Sequence, residues 1–213
     1  MKYTTLPTSD IEVSKICLGT MTFGEQNTEA EGHAQMDFAL EKGINFFDTA
    51  EMYSVPGRKE TYGSTEKIIG TWFKKTGNRD KVILASKIAG PNPGLSYIRE
   101  NMDFSPASIA LSIEKSLSRL QTDYIDLYQL HWPERKTNFF GQRGFKVQND
   151  AWEDNIHNVL ETLDTFINAG KIKNIGLSNE TPWGIMRFLE ESKYHNLPKI
   201  KTVQNPYSLL NRL

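Results

Sequence analysis

Apolar residues along this chain alternate between two spacings. Short continuous apolar runs recur at residues 16–19, 44–47, 82–86, 124–130, 172–177 and 202–204, the pattern of strands buried on both faces. Between them apolar positions return every three or four residues, as on one side of a helix. Ile109, Ile113, Leu117 and Leu120 share such a face behind Ser105-Pro106, an N-cap followed by a first-turn proline. Ile156, Val159, Leu160, Leu163, Phe166 and Ile167 form a second stripe that stops at Gly170. Thr181-Pro182 opens a further helix, in which Ile185, Met186 and Leu189 are expected to face inward. Thr28 and Glu31 have capping-box spacing, with Gly43 where that helix would stop. Another helix is expected from about Ser64 to Gly77, and residues 2–13 read as a small hairpin before the first long-range strand.

Strands that alternate with helices imply a parallel sheet with right-handed crossovers. An open doubly wound sheet and a closed barrel both satisfy that. The dinucleotide-binding form of the open sheet carries G-x-G-x-x-G after its first strand, and here the first strand is followed by Gly19-Thr20-Met21-Thr22-Phe23-Gly24, which does not fit. The long inserts, 51–63, 88–104 and 132–152, all follow strands rather than helices. Elaborated loops on that side are what a barrel uses for its site. The expectation is therefore an α/β chain of (β/α)8 TIM-barrel type, one domain over residues 1–213, with an N-terminal β-hairpin. The sequence shows about six βα strands before Leu213, whereas a barrel has eight, so the barrel reads as truncated at its C-terminal side.

Composition narrows the function classes. Among 213 residues, 38% are hydrophobic and 24% charged, with a formal net charge of −1, so nothing in the charge balance favours nucleic acid or an anionic membrane as partner. No apolar run approaches the roughly 20 residues of a membrane span, and the N-terminus lacks a secretory apolar core, which reads as cytoplasmic. Cys17 is the single cysteine. It excludes an intrachain disulfide, fits a reducing compartment, and is expected to be a buried structural thiol.

The chemistry lies in what ends each strand. Asp48 ends the second, Lys87 the third, His131 the fourth, Ser178-Asn179 the fifth and Gln204-Asn205 the sixth. In a barrel these ends surround one mouth, and Tyr53 follows Asp48 by five residues. A phenol with its usual pKa of about 10 is a poor acid at neutral pH. A lysine ammonium beside it would stabilise the phenolate, and a carboxylate would hold that lysine charged and in position. His131 could then hydrogen-bond the substrate oxygen that receives the proton. Each residue has a plainer role taken alone: a loop cap, a solvated lysine, a core histidine, a packed tyrosine. Their arrival at successive strand ends is what points to a proton-transfer site. His33, His157 and His195 sit in helical segments without metal-ligand spacing, so no metal site is expected. No Gly-x-Ser-x-Gly elbow is present, and Cys17 has no adjacent base in the sequence.

The motifs LGTMTFG (18–24), GINFFDTAEMY (43–53), LASK (84–87), RLQTDYIDLYQLHWP (119–133), GKIKNIGLSNET (170–181) and QNPYSLLNR (204–212) resemble the aldo-keto reductase family over essentially the whole chain, and within it the Tas-type bacterial branch. The resemblance implies a TIM barrel that transfers hydride from NADPH to an aldehyde or ketone. It places the family's catalytic tetrad on Asp48, Tyr53, Lys87 and His131. It also implies that Ser178, Asn179 and Gln204 hydrogen-bond the nicotinamide carboxamide, that Tyr207 stacks on the nicotinamide ring, and that Gly19, Thr20 and Met21 lie beside the cofactor with Asp48. Met52, Trp132, Phe139 and Phe140 would line the pocket for a small-molecule carbonyl substrate. The family's last two βα units, which carry much of its pyrophosphate and 2′-phosphate recognition, have no counterpart here. Two alternatives follow from the same resemblance: a nicotinamide-binding regulatory or scaffold protein of the potassium-channel β-subunit type, and an inactive fragment of a reductase.

Overall fold

A computed structural model of the chain describes residues 1–140, 142, 144 and 151–211; residues 145–150 of the 132–152 insert, and Arg212 at the end of the last motif, lie outside the described residues. Strands β1 (Tyr3–Thr5) and β2 (Glu12–Ser14) pair antiparallel as the hairpin. Six further strands follow: β3 (Cys17–Gly19), β4 (Phe46–Asp48), β5 (Ile83–Ile88), β6 (Ile125–Leu130), β7 (Ile172–Ser178) and β8 (Thr202–Gln204). They are parallel and lie side by side in chain order, curled into a half-barrel. Helices α1 (Glu29–Glu41), α2 (Ser64–Thr76), α3 (Pro106–Leu120), α4 (Ile156–Asn168) and α5 (Pro182–His195) alternate with them. The fold class read from the sequence thus holds, including the hairpin and six consecutive strands.

Local chemistry sets the helix ends. The Glu31 amide donates to Thr28 Oγ1 at 3.3 Å and the Thr28 amide to Glu31 Oε2 at 2.8 Å, a completed capping box. Ser105 and Thr181 accept from the amides of Ser108 and Gly184, each with proline in the first turn. Gly77 ends α2 in the left-handed conformation.

The helices bury their apolar faces on the outer surface of the sheet. One cluster runs from Phe23 and Met36 through Trp72, Leu84, Ile109 and Leu120 to Leu160 and Ile200. Between α2, α3 and β5 the core contains charge: buried Glu66 accepts from Ser86 Oγ at 2.6 Å and from Arg119 Nε at 2.7 Å. Two expectations are corrected here. Met186 is exposed and Phe188 is buried in its place: the inward face of α5 is set by Gly184, Phe188 and Ser192, and at about 100° per residue Met186 points roughly opposite Phe188. Cys17 is exposed rather than buried, because β3 is an edge strand with one sheet neighbour, β4. No helix among the described residues is long and apolar enough to cross a membrane.

Candidate active site

Parallel pairing in register brings the strand ends to one rim. Gly19 lies opposite Asp48, Asp48 opposite Ala85, Lys87 opposite Gln129, and Ser178 opposite Gln204. The side chains of Asp48, Lys87 and His131 are buried at this rim. Lys87 Nζ donates to Asp48 Oδ2 at 2.6 Å and to the Thr49 carbonyl at 2.8 Å. A buried ammonium is tolerable only with such partners. Asp48 also accepts from Gln129 Nε2 and from Gln204 Nε2, both at 3.3 Å. This single carboxylate therefore gathers groups from β5, β6 and β8.

Tyr53 lies over this pair. Lys87 Nζ is 5.2 Å from the centre of its ring, and the Tyr53 hydroxyl is 3.4 Å from His131 Nε2. Burial raises the Tyr53 pKa, and the Asp48 charge adds to that. The expected lowering by Lys87 is therefore not what the arrangement delivers. The ammonium is turned to Asp48 and the Thr49 carbonyl, and burial dominates at the phenol, which keeps its proton. His131 is pushed well below the usual imidazole range by burial and then by Lys87, so it is neutral near pH 7. Its Nδ1 has no hydrogen-bond partner among the described residues.

The loop that carries Tyr53 is held from behind by a group the sequence reading did not single out. Glu51 is buried, with Oε1 accepting from Arg99 Nη1 at 2.5 Å and the Ala89 amide at 2.6 Å. Its Oε2 accepts from Ser112 Oγ at 2.6 Å, and Tyr128 OH donates to that same oxygen of Ser112 at 2.8 Å. The available signals were an acid between Ala50 and Met52 in a buried loop and an arginine in the next long insert; no spacing links them. Gln129 had a clearer signal, as an amide within the apolar strand Ile125–Leu130.

Several of the residues assigned to cofactor binding also lie on this rim. Asn179 Nδ2 donates to the His131 carbonyl at 2.9 Å and lies 3.1 Å from Ser178 Oγ, and Ser178 Oγ donates to the Gln204 carbonyl at 3.0 Å. Thr20 Oγ1 donates to the Asp48 carbonyl at 2.8 Å. A Cβ built at Gly19 would meet no atom within 4 Å, and Met21 and Tyr207 are exposed. Amides, hydroxyls and open space beside Asp48 are a donor set that fits a nicotinamide carboxamide.

Of the residues assigned to the substrate wall, Trp132 is buried beside His131, with ring centres 4.9 Å apart and its Nε1 donating to the Pro91 carbonyl at 3.2 Å. Met52 and Phe139 pack against the same small cluster of Ala89, Leu95, Ile98 and Trp132. Phe140 is 58% exposed and meets Trp132 edge-on at 5.6 Å. A cleft of about 360 Å³ lies between Phe139, Phe140, Asn179 and Asn205.

The sequence pattern of the aldo/keto reductase family matches residues 15–213. Protein tas of Escherichia coli (strain K12) is 50% identical over 213 residues, which is 100% of this chain and 62% of that protein. The uncharacterized oxidoreductase YrpG of Bacillus subtilis (strain 168) is 38% identical over 100% of this chain and 60% of its own length. The norsolorinic acid reductase stcV of Emericella nidulans is 33% identical over 95% of this chain and 49% of its own length. The chain thus spans about 62% or less of these relatives. The crystal structure of a thermostable aldo-keto reductase in complex with the inhibitor epalrestat has the same fold at a TM-score of 0.72, with 24% identity, covering 100% of this chain and 65% of that one.

Proposed function

The chain belongs to the aldo/keto reductase family, and from that premise we propose that the protein is an NADPH-dependent reductase of aldehydes or ketones in which Tyr53 is the general acid. The observation that carries the proposal is the buried Lys87–Asp48 ion pair at 2.6 Å beneath the Tyr53 ring, with the phenol oxygen 3.4 Å from neutral His131. When bound, NADPH supplies the hydride. Ser178, Asn179 and Gln204 would hold its carboxamide, Tyr207 would cover its ring, and Gly19, Thr20 and Met21 would border it.

The chain's own groups handle the proton. Tyr53 holds it because burial and Asp48 disfavour the phenolate. An alkoxide is far more basic than a phenolate, so the proton leaves the phenol oxygen only once negative charge develops on the substrate oxygen. Lys87, fixed by Asp48 and the Thr49 carbonyl, keeps a positive charge 5.2 Å from the ring centre when the phenolate forms. His131, neutral and with Nε2 beside the phenol, orients the substrate oxygen. The wall of Met52, Trp132, Phe139 and Phe140 would suit an apolar or aromatic substituent and exclude water from the transfer.

The test is NADPH consumption with a panel of aliphatic and aromatic aldehydes and ketones, paired with a titration of tryptophan fluorescence by NADPH. Saturable quenching and turnover that disappears in Tyr53→Phe are expected, with cofactor affinity little changed. Near-normal kcat in Tyr53→Phe would sink the mechanism, and a flat NADPH titration would sink cofactor binding by this chain.

A further inference from the structure

On the outer helical layer, His157 of α4 meets Glu191 and His195 of α5. Glu191 Oε1 lies 2.9 Å from His157 Nδ1 and 3.2 Å from His195 Nε2, and the three atoms all lie within 4.8 Å of one another. We propose that these three side chains form a divalent transition-metal site, best matched by zinc, that clips α4 to α5.

The donor set is two imidazoles and one carboxylate, which suits zinc and leaves a fourth position for water. Tetrahedral zinc with bonds of about 2.1 Å separates its ligand atoms by roughly 3.4 Å, so the two Glu191–His separations open by about half an ångström or less, and the two imidazole nitrogens, within 4.8 Å of each other, adjust to the same spacing by side-chain rotation. Glu191 and His195 are four residues apart and share one face of α5. They have side-chain exposures of 12% and 51%, and His157 of 38%, so an ion can enter from solvent without unfolding.

The surrounding groups free the ligand atoms. Glu161 Oε1 is 3.3 Å from His157 Nε2, so the proton can sit on that nitrogen and leave Nδ1 for metal, a carboxylate–histidine pairing that orients a ligating ring. Arg187 Nη2 donates to Glu191 Oε2 at 3.1 Å, which leaves Oε1. The local charge attracts a cation: Asp154, Glu161, Glu190 and Glu191 stand against Arg187 alone in this network. Linear spacing gave no hint of the site, because His157 comes from a different helix.

The inference is independent of the reductase reading, and so is its test. The tag-free chain, stripped with chelator, is titrated with Zn²⁺ by calorimetry and with Co²⁺ by visible absorption, with melting followed in both cases. One zinc per chain, a raised Tm and ligand-field bands of four-coordinate cobalt are expected. His157→Ala and His195→Ala should each remove binding while far-UV circular dichroism stays unchanged. Glu161→Gln should weaken binding about tenfold, the usual consequence of losing a group that orients a ligand. Absence of saturable binding up to about 100 µM zinc, or binding that survives the double histidine variant, would overturn the proposal.

Discussion

Tyr53, Lys87, Asp48 and His131 divide the burden of holding charge and protons in a buried place. Lys87 stays charged because Asp48 and the Thr49 carbonyl replace its water, whereas Tyr53 and His131 stay neutral because burial disfavours their charged forms, reinforced by Asp48 at the phenol and by Lys87 at the imidazole. Tyr53→Phe keeps the ring over Lys87 and removes only the proton donor. A loss of kcat of about 10²–10⁴-fold is expected, the usual range for a positioned acid, read from single-turnover and steady-state rates. His131 also links stability to pH. Its folded pKa lies below that of the unfolded chain, so below about pH 6.5 the unfolded state binds the extra proton and stability falls as pH drops. The slope from this one group reaches about 1.4 kcal/mol per pH unit. Urea unfolding of wild type and His131→Asn between pH 7 and roughly pH 5 should show a flatter acid limb in the variant; equal slopes would refute the assignment.

Between elements, two contacts are tight enough to predict from. Glu51 and Arg99 form a fully buried pair that ties the loop after β4 to β5 and, through Ser112, to α3 and β6. Removing one partner strands the other charge in the interior, so Glu51→Gln should lower unfolding free energy by about 3–5 kcal/mol, measured by denaturant titration. Because this carboxylate sits two residues before Tyr53, kcat should fall as well, while Ser118→Ala on the outer face of α3 serves as a control that moves neither. Gly70 marks the second contact. A Cβ there would meet the Arg119 carbonyl oxygen at 2.2 Å and Leu120 backbone at 2.8 Å, where α2 crosses the end of α3. Gly70→Ala should therefore destabilise by about 1–3 kcal/mol, despite alanine's better helix propensity. A more stable variant would show that the backbones can separate freely.

At the scale of the whole molecule, the six-strand sheet formed by the described residues has β3 and β8 at its edges. Val203 on β8 and Tyr207, Leu209 and Leu210 beyond it are exposed. An uncovered parallel edge beside exposed apolar residues is a template for pairing with another chain. Sedimentation velocity of the 213-residue chain is expected to show larger species as concentration rises, and Val203→Lys to reduce them. Concentration-independent sedimentation would show that the edges do not pair.

The sequence by itself determined the alternation of strands and helices, the caps at Thr28, Ser105 and Thr181, and the strand-end positions of Asp48, Lys87 and His131. These are local properties: apolar spacing, a cap side chain and the residue that follows a buried run are read without knowing what lies opposite. The tertiary structure decided the rest, because the deciding neighbours are distant in the chain. Burial rather than Lys87 governs the Tyr53 proton. The edge position of β3 exposes Cys17, and the roll of α5 turns Met186 out and Phe188 in. The Glu51–Arg99 clamp joins residues 48 apart. The Glu191 carboxylate meets His157 across 34 residues of sequence, a meeting that only the packing of α4 on α5 could create.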